Sequence, residues 1–283
     1  MKYISVEKYH SCGNDFLIIP AGEAAEADCA LLARAICDRH TGLGADGCLL
    51  VTAQGPERCA VRIFNQDGSE AGMSGNGSRC ACAFLHRNRH LEGERILLDT
   101  LSGEKSYNLL GEKEGVWRYR SAMGRPRFEP EAVPFKGAAG LKAVEGHFLE
   151  AAGTELAVTA LWVGNPQCVV FVEEFPNEAD FFRLGSGLEK HPSFPDRTNV
   201  SFVKIEGPRK IRIMIWERGV GPTRSSGTGS CGAAVAALRS ERVSSPVEVD
   251  TEGGSQTVEW APGEEIYLTG AAEFVARADY CWK

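Results

Sequence analysis

Two short strings in this chain place a hydroxyl in front of a glycine-rich helix start. Residues 74–78 read Ser-Gly-Asn-Gly-Ser and residues 226–230 read Ser-Gly-Thr-Gly-Ser, and each opens onto a run of small residues, CACAFLH or CGAAVAAL, that predicts a helix. The first turn of a helix carries unpaired backbone N–H groups and a partial positive charge, so such a turn binds an anion. Glycines at that place let a ligand approach the backbone closely. If two such starts face each other across a pseudo-two-fold axis, they converge on one guest, for which a carboxylate or its enolate-like transition state is suited. Ser74 and Ser226 would then flank one carbon from opposite sides. Taking a proton from one face and returning it on the other is racemisation or epimerisation.

The elements that must hold these residues form an internal repeat. Adding 152 lays residues 63–78 on 215–230 without a gap, matching Ile63 to Ile215, Phe64 to Trp216, Asn65 to Glu217, Ser74 to Ser226 and Gly77 to Gly229. The same shift puts Gly47 on Asn199, and a shift of 151 puts Gly13-Asn14 on Gly164-Asn165. Short apolar or alternating runs predict strands at 2–8, 16–20, 47–52, 59–64, 95–100 and 116–120, and again at 156–163, 168–173, 199–205, 210–216, 246–250, 256–260 and 265–270. Helices are predicted at 27–39, 77–88, 178–188 and 229–241. This gives an α/β (α+β) chain of two copies: 1–120, then 121–270, with the Gly- and Pro-rich stretch 124–140 as the crossing. Residues 271–283 are expected to pack back on the first copy.

Composition narrows the class. With 43% hydrophobic and 24% charged residues the chain reads as globular, which excludes disordered and fibrous classes. A net charge of −7 argues against nucleic acid as the main partner. No run approaches the ~18–20 apolar residues of a membrane span, and the start lacks the apolar core of a signal peptide, so no membrane partner and a cytoplasmic place are expected. The ten cysteines include no C-x-x-C pair and the six histidines are scattered, so no metal site is expected, and most thiols read as small buried hydrophobes. No G-x-x-x-x-G-K-[ST] loop and no G-x-S-x-G elbow occurs, which removes the phosphate-loop and serine-hydrolase readings. His10, Trp162 and Trp216 read as structural residues.

The strings GNDF (13–16), DG (46–47), FNQDGSE (64–70), SGNGSRC (74–80), GNP (164–166), RTN (197–199), ERG (217–219) and SGTGSC (226–231), with TEGG (251–254) and VEW (258–260), form an ordered series over nearly the whole chain. That series resembles the diaminopimelate epimerase family. The resemblance implies two pseudo-symmetric domains, each a β-barrel-like sheet around a central helix. It also implies an active site between them, catalysis without pyridoxal phosphate or metal, and a place in lysine and peptidoglycan precursor synthesis. It implies a substrate-holding set of Asn14, Gly47, Asn65, Asn165, Gln167 and Asn199, the pair Glu217 and Arg218, and the backbone clamps Gly75-Asn76 and Gly227-Thr228. The chemistry suits an amino acid: arginine forks onto a carboxylate, a carboxylate takes an ammonium group, and asparagine both donates and accepts.

The chain departs from the family at three positions. Ser74 and Ser226 stand where the family has cysteine, and Gln167 stands where it has histidine. Cys80 and Cys231, inside the following helices, do not replace the missing thiols. Four readings remain open on sequence: an isomerase in which Ser74 and Ser226 relay protons with help from Glu217; a form with both cysteines replaced deliberately; an amino-acid-binding protein that kept the cleft and lost the chemistry; and a dehydratase or isomerase acting on another amino acid. The ligand under all four is a small amino acid, no cofactor is called for, and a homodimer is compatible with the sequence.

Overall fold

The computed structural model describes residues 2–137 and 140–282 of the chain. It divides into two compact units, Met1–Ser121 with Thr269–Lys283, and Ala122–Leu268.

The N-terminal unit is built from β1 (Lys2–Ser11), β2 (Asn14–Pro20), α1 (Cys29–Cys37), β3 (Gly47–Gly55), β4 (Arg58–Asn65), the two-residue β5 (Glu70–Ala71), α2 (Gly75–Arg87), β6 (Arg95–Thr100), β7 (Gly103–Lys113) and β8 (Val116–Ala122). The C-terminal strand, Tyr267–Trp282, joins it by pairing antiparallel with β1 from Lys2↔Trp282 to His10↔Glu273. Pairing then runs β1–β2–β3–β4–β6–β7–β8, and β8 returns to the C-terminal strand, which closes a barrel. Closure gives each of these eight strands a partner on both sides. The two parallel pairs, β2/β3 and β4/β6, are those whose connections contain α1 and α2, as a crossover between parallel strands requires.

Strand alternation decides which helix goes where. In β2, Phe16 and Ile18 point to one side and join Tyr9, Leu49, Ile63, Ile96, Tyr107 and Tyr119 around α2. Leu17 and Ile19 point to the other and join Leu32, Ala33, Ile36 and Leu50 at α1. Helix α2 is buried without a break from Asn76 to Leu85, and that position inside the barrel demands the small side chains of CACA.

The second unit repeats the plan with β9 (Val144–Ala151), β10 (Thr154–Trp162), β11 (Pro166–Phe171), α3 (Glu178–Glu189), β12 (Asn199–Gly207), β13 (Lys210–Glu217), β14 (Gly221–Thr223), α4 (Gly227–Arg239), β15 (Val247–Thr251) and β16 (Gly254–Glu259). The order β9–β10–β11–β12–β13–β15–β16 has parallel pairs at β11/β12 and β13/β15, the places where the first unit has them. Helix α4 is buried from Gly229 to Ala237 among Val169, Ile213, Ile215, Val249 and Leu268, and α3 covers the other face with Phe181, Leu184 and Leu188 against Phe202 and Trp216. Among the described residues no helix is long and apolar enough to cross a membrane.

The structure corrects three sequence expectations. The central helices begin at Gly75 and Gly227, two residues before the predicted 77 and 229, because Ser74 and Ser226 are the capping residues. Strands β7 and β9 were absent from the prediction: GEKSYNLLGEK and VEGHFLEA carry charges on half-exposed faces that blur alternation. The last strand continues to Trp282 instead of stopping at residue 270, its outer part held by the β1 ladder.

Candidate active site

In the N-terminal unit four elements begin or end at one place. β2 starts at Asn14, β3 at Gly47 and α2 after Ser74, while β4 ends at Asn65. The ladder sets Gly47 opposite both Phe16 and Asn65. A side chain at Gly47 would meet the Phe64 carbonyl at 2.8 Å and the Phe16 ring at 3.2 Å, so only glycine fits there. The turn into β2 depends on Gly13 at φ +74°, in the left-handed region.

Ser74 is extended (φ −141°, ψ 118°), and its Oγ accepts from the Gly77 N–H at 3.1 Å. This is the geometry of a helix N-cap. The Asn76 Nδ2 donates to Asn14 Oδ1 at 3.3 Å, and Asn14 Nδ2 donates to Asp46 at 2.8 Å. Asn14, Gly47, Ser74, Gly75 and Asn76 are thus drawn together. Asn65 is exposed, and its amide donates to Ser69 Oγ within its own turn at 2.9 Å.

The second unit reproduces the helix start. Ser226 is extended (φ −144°, ψ 125°), accepts from the Gly229 N–H at 3.3 Å, and has Thr228 Oγ1 at 3.5 Å. Gly164, at φ +71°, makes the turn before β11 as Gly13 does before β2. Asn165 accepts from the buried Gln167 Nε2 at 2.6 Å. Asn199 is occupied by the backbone, donating to the Pro166 carbonyl at 2.9 Å and accepting from the Arg218 N–H at 3.0 Å, which makes it a clamp on two site loops. Arg218 is exposed, with one nitrogen donating to the Asp196 carbonyl at 3.0 Å.

The two helix starts differ in charge. Glu217 ends β13 beside Ser226, and burial raises its carboxyl above the ordinary carboxylate value, with the Ser226 hydroxyl pulling the other way. The equivalent residue 152 positions earlier is the neutral Asn65. The Ser74 hydroxyl has no hydrogen bond to an acid among the described residues.

Two positioning residues stand outside the predicted site set. Asp46, in the DG string, orients Asn14. Glu189, buried at the end of α3, accepts from Trp216 Nε1 at 2.9 Å and from the Gly219 N–H at 3.0 Å, and so holds the turn that carries Glu217 and Arg218. Trp216 lies in the core, as read from sequence. Gly232 is pressed against Gln167, whose Cγ would lie 2.9 Å from an added Cβ. Gly232→Ala is therefore expected to cost about 1–3 kcal/mol by overpacking, read as a lowered midpoint in a thermal melt.

A family profile described as diaminopimelate epimerase matches residues 6–129 and 159–275. The diaminopimelate epimerase of Pelotomaculum thermopropionicum is 38% identical over 278 residues, 98% of each chain. That of Desulforudis audaxviator is 40% identical over 272 residues, 95% of this chain and 96% of its own. A Bacillus anthracis phenazine biosynthesis protein of the PhzF family superposes with a TM-score of 0.69 at 16% identity over the full length of both chains. A probable proline racemase from Agrobacterium radiobacter does so at 0.66 and 16%, over 99% of this chain and 93% of its own. These structural likenesses show the fold.

Proposed function

The chain belongs to the diaminopimelate epimerase family, and from that premise we propose that it is a cofactor-independent epimerase interconverting L,L- and meso-2,6-diaminopimelate by two-sided α-proton transfer. The observation that carries the reading is the doubled helix start: in each half a serine caps a buried helix in nearly the same backbone conformation, with glycine and open N–H groups behind it. Each such start offers the donors that a carboxylate, or the enolate-like charge formed when the α-proton leaves, requires.

The hydroxyls work differently from thiols. A serine hydroxyl is almost never ionised near neutrality, so Ser226 needs a proton acceptor, and Glu217 stands beside it with a carboxyl shifted toward the working range. As the α-proton passes to Ser226 Oγ, the hydroxyl proton of Ser226 passes to Glu217, and the electron pair of the broken C–H bond moves toward the substrate carboxylate. Ser74 is the proton-transfer group of the other half, assisted by the positive end of α2. Arg218 takes a substrate carboxylate, and Asn14, Asn65 and Asn165 its remaining polar groups, with Asn199 holding the loops that carry Arg218 and Asn165. We assign the reaction to the cytoplasm, on the support of the bacterial diaminopimelate epimerases that the chain resembles.

Proton NMR with L,L-diaminopimelate in heavy water tests the proposal: the α-proton signal should fade as the meso form appears. Ligand-induced shifts without exchange would overturn the catalytic part and leave a binding protein. Arg218→Ala should weaken binding at least about tenfold, the loss expected for a charge-assisted hydrogen bond, measured by calorimetry. Unchanged affinity would remove Arg218 from the ligand.

A further inference from the structure

Arg79, in the first turns of α2, is fully buried. Its Nε and Nη2 donate to Ser11 Oγ at 3.3 and 3.1 Å, and Nη2 also donates to Asn76 Oδ1. None of these partners is charged. The acids of the neighbourhood are already engaged, Asp15 with Lys8 and Arg39, and Asp46 with Arg39. The remaining nitrogen, Nη1, is buried without a hydrogen-bond partner among the described residues and lies 3.9 Å from where a Cβ on Gly75 would sit. Space for the guanidinium is made by Gly270, where an added Cβ would come within 2.8 Å of it. Its field reaches its surroundings: burial pushes the Tyr107 hydroxyl up to about 12, and Arg79 pulls it back in part.

A guanidinium only donates, so Asn76 must turn Oδ1 to it and Nδ2 to Asn14, and Asn14 must then turn Nδ2 to Asp46. Arg79 thereby fixes the sense of two amides of the half-site. An unneutralised buried charge is costly, and nothing about packing alone calls for one at a helix start. We propose that Arg79 is a positioning residue of the N-terminal helix start: a buried cation without a counter-ion among the described residues that orients Asn76 and Asn14 and keeps the start of α2 positive for the substrate carboxylate and the charge that grows on it. This rests on the reading of that helix start as a carboxylate site, and it assigns specificity for an anionic ligand to a residue the ligand need not touch.

The test uses a reporter that needs no ligand. In Ser74→Cys protein, the thiolate absorbance is titrated against the wild type. Adding Arg79→Met should raise the pKa of the thiol introduced at position 74 by about one unit, the shift expected on losing a nearby opposite charge, while Arg79→Lys should restore much of it. An unmoved thiol overturns the proposal. Because Arg79→Met removes an unpaired charge, its melting point should equal or exceed that of the wild type, whereas a purely structural arginine would lower it. Asn76→Asp is the second variant: it gives Arg79 a carboxylate in the same shape and should raise the same thiol pKa. In the binding arm, Arg79→Met and Asn76→Asp should each weaken L,L-diaminopimelate at least about tenfold by calorimetry, with partial rescue in Arg79→Lys. If the wild type does not bind that probe, the substrate reading falls while the thiol shift still decides the role of Arg79.

Discussion

Replacing Ser74 and Ser226 together by cysteine raises the rate of α-proton exchange on diaminopimelate by at least about a thousandfold. A free thiol has a pKa of about 8.5 and falls further at a helix N-terminus, whereas a hydroxyl at the same place stays protonated, and each unit of mismatch is about tenfold in the active form. The two N-caps already hold the extended geometry that points the side-chain atom over the first turn, at φ −141° and −144°, so a thiol inherits the position without rearranging the backbone. A gain in formation of the meso form should need both replacements, because inversion uses a proton acceptor on one side and a donor on the other. The measurement is loss of the α-proton signal in heavy water for wild type, each single variant and the pair. A pair no faster than the wild type would mean that the site has diverged beyond its two hydroxyls, with Gln167 the first residue to suspect.

The helix starts and their duplication were legible because glycine punctuates them. Gly-x-Gly after serine recurs at a fixed shift, and Gly13 and Gly164 mark the same turn by the same left-handed backbone. The helix limits were not, since the glycines that look like a boundary lie inside the first turn and the serine before them is the cap. Strands β7 and β9 escaped because their half-exposed faces carry charges, and closure of a barrel supports them where local pattern does not. The role of Asn199 could not be read from its type: its amide is consumed by the Pro166 carbonyl and the Arg218 N–H. The help of Glu217 is expected from sequence for both serines, but that it stands beside Ser226 follows from the hairpin that folds β14 back on β13 through the Glu217↔Gly221 and Ile215↔Thr223 pairs. Arg79 is carried in the SGNGSRC string without a role of its own, and burial without a counter-ion among the described residues sets it apart.

Glu217→Gln should abolish most of the exchange in the serine enzyme, by about 10²–10⁴-fold, the range for removal of a general acid–base group. Its raised carboxyl pKa fixes the sign of two pH effects. Exchange in the wild type should rise as pH increases through that pKa, since the proton acceptor is the deprotonated form. Stability runs the other way. A carboxyl whose folded pKa lies above its unfolded value favours the folded state fully at pH below the unfolded value, and that contribution is lost as pH rises through the folded value. The amide imitates the protonated form, so Glu217→Gln should leave the melting point unchanged in acid and raise it in neutral and alkaline buffer. A loss of activity accompanied by a lower melting point at every pH would point to damage to the β13 turn instead. The decisive comparison adds Glu217→Gln to the double-cysteine protein: thiolates accept protons themselves, so the penalty should shrink to the loss of whatever Glu217 contributes by holding the substrate ammonium group. An equal penalty in both backgrounds would show that Glu217 holds the substrate and does not take the proton.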